Sequence, residues 1–146
     1  MILGNMLSVR SVESQQYYGN PRNAFWRITG ELFGFAADDP YSDRTAALVA
    51  NGVGVWDVLK SCRRAGSLDS AVEPDSMVGN NFGELFIAQP GIMRVFFNGA
   101  AAEKNFHRLV RHAPDVHYRR LPSTSPAQTM RYQDKLSAWR EAITAR

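Results

Sequence analysis

Three short segments carry side chains able to do chemistry on a polar or charged ligand. The first, Gln16-Tyr17-Tyr18-Gly19-Asn20-Pro21-Arg22-Asn23-Ala24-Phe25-Trp26, gathers aromatics and amides around one expected helix start. A helix N-terminus leaves N–H groups without backbone partners and attracts negative charge or a polarised water. Asn23 falls in that first turn. It either works on such a ligand or simply faces solvent, with Phe25 and Trp26 in the core. The second segment is Leu121-Pro122-Ser123-Thr124-Ser125-Pro126-Ala127. Two prolines stiffen it, and its hydroxyls and free amides can bond phosphate oxygens. It reads equally as a strand-to-helix turn with a Ser or Thr cap. The third, Phe96-Phe97-Asn98-Gly99, puts an amide at the mouth of an apolar strand. Asn98 can offer a donor and an acceptor to a base edge, although Asn-Gly is also a common turn pair.

Other chemistries are excluded by what the chain lacks. It has no Gly-rich loop ending in Lys-Ser/Thr, no Gly-x-Gly-x-x-Gly after the first strand and no Gly-x-Ser-x-Gly elbow. Its three histidines lie on a helix, at its end and on a strand, without metal-ligand spacing, so no metal is expected. The lone Cys62 allows no internal disulfide and reads as a small buried hydrophobe.

The elements that must position these segments follow from apolar spacing and breakers. Residues 1–4 read as a short strand and residues 5–19 as a loop. Because the strand begins at once, a leading segment is expected to be missing. Asn20 suits an N-cap and Pro21 the first helical position, with Phe25, Ile28, Leu32 and Phe33 at helical spacing behind them. A second helix is expected from Asp43 to the Asn51-Gly52 stop. Residues 53–59 read as one buried strand, 64–80 as a loop and 82–88 as a helix. A strand over 92–97, a helix over 100–111, a strand over 116–121 and a helix over 130–145 complete the chain. Continuous apolar strands alternating with helices predict a three-layer α/β/α sandwich on a central four-stranded parallel sheet. Ligands of such sheets bind beyond the carboxyl ends of the strands, so residues 4–11, 60–69, 98–99 and 121–127 are expected to converge on one edge of the fold.

Size and charge agree with that architecture. The chain has 146 residues, 45% hydrophobic and 21% charged, enough for one domain over residues 1–146 with a packed core. No run approaches the ~20 apolar residues of a membrane span, and the start lacks a signal-peptide pattern. A cytoplasmic protein is expected. Residues 1–100 carry eight Lys/Arg against ten Asp/Glu, whereas residues 101–146 carry nine against four. The basic half suits a polyanion on one side of the molecule, or a solvated face.

In order and spacing the motifs resemble the uracil–DNA glycosylase superfamily, most closely its hypoxanthine–DNA glycosylase branch. The carriers are Leu3-Gly4, Ser8-Val9-Arg10-Ser11, Tyr17-Tyr18, Pro21-Arg22-Asn23-Ala24-Phe25-Trp26 and Val55-Trp56-Asp57-Val58-Leu59, then Gly66-Ser67-Leu68-Asp69, Val95-Phe96-Phe97-Asn98-Gly99 and the 121–127 segment. Leu7 stands where the pattern has proline and Asn20 where it has histidine. Leu7 changes the loop near the deoxyribose; Asn20 removes a titratable group.

The resemblance implies a monofunctional N-glycosylase of base-excision repair, needing no cofactor, that flips a deaminated base out of double-stranded DNA and leaves an abasic site. On that reading Asn23 positions the water and the sugar, and Asn98 bonds the departing base. Phe25 or Trp26 stacks on the base, while Tyr17 or Tyr18 closes the pocket. Asp57 is either the negative group beside the cationic sugar or a capping residue. Ser8, Arg10 and Ser11 join Ser123, Thr124, Ser125, Pro126 and Arg131 as DNA contacts, with Arg119, Arg120 and Lys135 as further candidates. The protein is expected to act as a monomer, associated with the nucleoid when on DNA. Rival readings are a uracil-preferring glycosylase, a damaged-DNA-binding domain without catalysis, and a structural α/β domain.

Overall fold

The computed structural model describes residues 1–145. In chain order its elements are β1 (Ile2–Gly4), α1 (Val9–Ser14), α2 (Phe25–Phe33), α3 (Tyr41–Ala50), β2 (Val55–Asp57), β3 (Leu59–Ser61), β4 (Val78–Gly79), α4 (Phe82–Ala88), β5 (Arg94–Asn98), α5 (Ala100–Leu109), β6 (His117–Leu121) and α6 (Tyr132–Thr144). Four strands form one parallel sheet in the order β2-β1-β5-β6. Successive strand residues point to opposite faces, and the sequence is apolar at both phases. Ile2, Phe96 and Leu121 pack with Phe25, Ile28, Leu48, Leu136 and Trp139 of α2, α3 and α6. Leu3, Val95 and Phe97 pack with Phe82, Ala102 and Phe106 of α4 and α5. The three layers expected from the sequence are therefore present.

Several boundaries differ, each for a local reason. The run 53–59 is two strands rather than one. Val55 to Asp57 pair with β1, whereas Leu59 to Ser61 turn away and pair antiparallel with β4. β4 and two 3-10 turns, Asp69–Ala71 and Pro74–Ser76, occupy the stretch read as a loop. Residues 5–19 also contain a helix. Ser8 caps α1 by accepting from the Ser11 N–H, and Gln15 ends it in the left-handed region at φ 55°. Val9 and Val12 are exposed, so α1 has no apolar stripe to betray it.

Helix α2 starts at Phe25, not at Pro21. The Asn20 side chain accepts from the Arg22 N–H, and the Asn23 N–H donates to the Asn20 carbonyl, so residues 20–23 close a turn ahead of the helix. The Ala24 N–H is taken by the Thr124 carbonyl. The Asn23 side chain, one residue before the cap position Ala24, then accepts from the Phe25 N–H at 3.0 Å.

The parallel register brings three strand ends level. Gly4 pairs with Asp57, and Leu3 pairs with Phe97, so Gly4, Asp57 and Asn98 form one row at the carboxyl edge of the sheet. All three share the phase of Ile2, Val55 and Phe96, on the α2–α6 side.

Candidate active site

A cleft of about 740 Å³ opens above that row. The middle position carries no side chain, and neighbours close over it. A Cβ on Gly4 would lie 2.6 Å from Asp57 Oδ1 and 2.9 Å from the Tyr18 hydroxyl. Only glycine allows the carboxyl and the phenol to approach the strand this closely. Tyr18 reaches the site with backbone φ of 53°, an uncommon conformation for a non-glycine residue and one that concentrates at functional sites. Its ring lies on Phe25 with centroids 4.0 Å apart.

Asn98 is 8% exposed and spends its amide on the protein. Nδ2 donates to the Tyr18 hydroxyl at 3.1 Å and to Thr124 Oγ1 at 2.9 Å, while Oδ1 accepts from the Thr124 N–H at 2.9 Å. Both amide hydrogens are committed, which leaves at most one acceptor position on Oδ1. The expected donor to a base is thus a latch between β5 and the segment after β6. That segment is held at three further points. Trp139 Nε1 donates to the Pro122 carbonyl, and Lys135 Nζ donates to the carbonyls of Ser125 and Gln128. Lys135 is 4% exposed, and burial lowers its pKa. It braces the loop and does not reach outward to phosphate.

Asp57 behaves differently from every other polar group on the row. It is 6% exposed and lines the cleft, yet among the described residues no donor reaches either carboxyl oxygen. The capping alternative therefore fails. Burial first, and the Asp69 carboxylate second, push its pKa up to about 7, partly offset by the Arg64 guanidinium. A dependable negative charge at neutral pH is not what this environment favours. The same burial and the Asp57 carboxyl raise Tyr17 to about 12, and Tyr18 further still, so both phenols stay protonated.

The remaining expected residues divide cleanly. Asn23, Ser8, Ser11, Ser123, Thr124, Ser125 and Pro126 line the cleft with Tyr17 and Tyr18. Phe25 and Trp26 do not; both are buried beneath it, a correction to their expected place against the base. Phe25 backs the Tyr18 ring, and Trp26 Nε1 donates to the Tyr17 carbonyl. Ser8 and Ser11 bond each other, and Ser11 Oγ accepts from the Gly19 N–H, so these hydroxyls knit the loop together. Arg10 is exposed on α1 outside the cleft lining. Arg131 is exposed beside its ion-pair partner Asp134. Arg119 and Arg120 lie 3.9 Å from Glu141 and Glu103.

Asn5 and Asp69 also line the cleft, and Asn105 and Arg64 back them from behind the wall. Asn105 Nδ2 donates to Asn5 Oδ1, and Asn5 Nδ2 donates to Asp69 Oδ1. Arg64, whose side chain is 6% exposed, sits 3.9 Å from Asp69 and donates to the Leu7 carbonyl. Its neighbour Arg63 is 67% exposed, and nothing local in the sequence separates the two. Arg22, exposed on the cleft rim, lay inside a motif already quoted. No cluster of His, Cys, Asp and Glu able to hold a metal occurs among the described residues, and none of their helices is long and apolar enough to cross a membrane.

The cleft can therefore receive a planar polar group against Tyr18, with the Asn23 amide near the helix start and hydroxyls and amides along one rim. No protein-family model matches the chain. A hypoxanthine DNA glycosylase from Methanosarcina acetivorans is 35% identical over 144 residues, covering 98% of this chain and 88% of the relative. A second protein of that name, from Methanosarcina barkeri, is 32% identical over 144 residues, covering 98% and 89%. The solution NMR structure of a candidate uracil DNA glycosylase from Methanosarcina acetivorans has a TM-score of 0.81 at 34% identity, covering 97% of this chain and 86% of that one.

Proposed function

The chain belongs to the hypoxanthine DNA glycosylases, and from that premise we propose that it releases hypoxanthine from deoxyinosine in double-stranded DNA. The observation that carries this reading is the cleft over the Gly4–Asp57–Asn98 row, lined by Asn23 and Tyr18. A base cannot be reached inside a duplex, so the lesion nucleotide swings out into the cleft, helped by its weak pairing. The C1′–N bond breaks, the base leaves with the electron pair, and the oxygen of a water bonds to C1′. A proton from that water ends on the base, so the products are an abasic sugar and free hypoxanthine.

In this scheme Asn23 is the water-positioning group. Its Oδ1 is fixed by the Phe25 N–H and keeps one lone pair for a water proton, while Nδ2 is free to bond the sugar or the flanking phosphate. A neutral amide is a weak base, so the contribution is orientation. Tyr18, backed by Phe25, offers the base a flat surface. Ser123 and Ser125 lie on the rim, the exposed Arg22 supplies positive charge there, and Arg10 is exposed on α1, whose Ser11 lines the cleft. Pro126 and Arg131 extend the phosphate-facing side.

The test is a panel of labelled duplexes carrying deoxyinosine, uracil or xanthine, scored by strand cleavage at abasic sites after alkali. Release from deoxyinosine is expected. Preferential release of uracil would favour the second reading, to which the likeness to a candidate uracil DNA glycosylase points. Tight binding of abasic duplex with no base release from any substrate would leave a damage-binding domain without catalysis.

A further inference from the structure

The Asp57 carboxyl is the one polar group on the strand-end row whose side chain serves nothing in the protein. Gly4 has no side chain, and Asn98 is bonded on both amide hydrogens. Asp57 is buried, lines the cleft, and has no hydrogen-bond donor on either oxygen among the described residues. A carboxyl on the cleft floor that no protein donor engages is left for a ligand or water in the cleft. We propose that Asp57 is the base-holding residue, its neutral carboxyl pairing edge to edge with the adjacent N–H and C=O of the flipped base.

The chemistry matches atom for atom. A carboxylic acid presents one O–H donor and one C=O acceptor on neighbouring atoms. Hypoxanthine presents C6=O and N1–H in the complementary order, as uracil does with C4=O and N3–H. Two parallel hydrogen bonds close a ring between acid and base. An ionised carboxylate would accept from the N–H but turn its second oxygen against the carbonyl. The proton can sit on either oxygen, so the contact holds the base while ease of flipping selects it.

Every charged or titratable group packed against Asp57 bears on which form is present. Asp69, on the neighbouring 3-10 turn, opposes ionisation, and Arg64 favours it. Tyr17 and Tyr18 remain neutral phenols. Burial, the largest influence, keeps the carboxyl protonated up to about pH 7. Substrate pairing extends that range, because it needs the proton.

This inference rests on the glycosylase reading, and the experiment separates the two. Binding is measured to a duplex carrying 2′-fluoro-deoxyinosine, whose glycosidic bond resists cleavage, and to an abasic duplex that has no base to hold. The ratio of the two affinities isolates the base contact from phosphate contacts and from any loss of fold. For the unmodified protein that ratio falls roughly thirtyfold between about pH 6 and about pH 8.5, as expected for a group titrating near 7. Asp57→Asn, an isostere with a permanent donor and acceptor, removes the pH dependence and retains the preference at the alkaline end. Asp57→Leu abolishes the preference at every pH while abasic binding persists. A preference that rises with pH, or an Asp57→Leu variant that keeps the preference, overturns the pairing and assigns the carboxylate to the sugar instead. If the unmodified protein releases no base from any duplex, the enzymatic reading fails, and the pH dependence of the ratio still decides the role of Asp57.

Discussion

Replacing Asn98 by Ala discriminates a latch from a base reader. Three hydrogen bonds disappear together: Nδ2 to Tyr18, Nδ2 to Thr124 Oγ1, and the Thr124 N–H to Oδ1. The two hydroxyls can rotate toward other partners, but the Thr124 N–H cannot, and Thr124 is 1% exposed. Leaving a buried donor orphaned costs about 1–3 kcal/mol, and each lost neutral bond about 1 kcal/mol net. With the rotating hydroxyls discounted, the sum is about 3 kcal/mol, or a fall in Tm of roughly 6–12 °C for a chain of this size. Thermal and urea unfolding of Asn98→Ala, Thr124→Val and the double variant give the coupling directly. Thr124→Val keeps the N–H and loses only Oγ1, so a coupling on the order of 1 kcal/mol is expected between the two sites. Base release should fall in parallel, because the 122–128 segment loses its tie to β5. An Asn98→Ala protein within about 0.5 kcal/mol of the parent would refute the latch. Loss of base release at full stability would return Asn98 to the role of base contact.

Other substitutions read other parts of the site. Asn23→Ala should slow single-turnover base release on the order of a hundredfold and cost about 1 kcal/mol for the lost bond from the Phe25 N–H, with lesion binding largely kept; parental rates in a folded variant would end its assignment. Lys135→Met should destabilise by about 2 kcal/mol while leaving the salt dependence of DNA binding unchanged, because its ammonium bonds Ser125 and Gln128. Arg22→Ala should do the reverse, flattening log affinity against log salt by about 0.9 with little effect on stability; slopes measured for both variants decide this. Asp57 also predicts a pH-dependent stability. Below its ordinary value of 3.8 both folded and unfolded chains carry the proton; between that and about 7 only the folded chain does, so this group makes stability decline as pH rises through the window and level off above it. Asp57→Asn should remove that decline and exceed the parent by a few kcal/mol near pH 8, read from urea midpoints; equal stability profiles would refute the raised pKa.

The sequence carried more of the architecture than of the site's wiring. Apolar runs at residues 92–97 and 116–121, and helical spacing at 25–33 and 100–109, depend on near neighbours and on burial at both strand faces. They were enough to predict the three layers and the edge at which the motifs meet. The same local signals could not divide residues 53–59 between two sheets, because a strand's partner lies outside its own sequence. Nor could they find α1, which is stabilised by the Ser8 cap and carries no buried stripe. Tyr18, Asn23, Asp57 and Asn98 were legible by type and motif. Their duties were not, because those depend on contacts across 26 to 80 residues of chain: Asn98 with Thr124 and with Tyr18. Arg63 and Arg64 are adjacent and chemically identical, yet one is exposed and the other buried beside Asp69. Hydrogen-bond commitment and burial decide whether a polar group is spent on the fold or left for a ligand. Both are set only when distant segments pack together, which is why the tertiary structure alone separates the latched amide of Asn98 from the unpartnered carboxyl of Asp57.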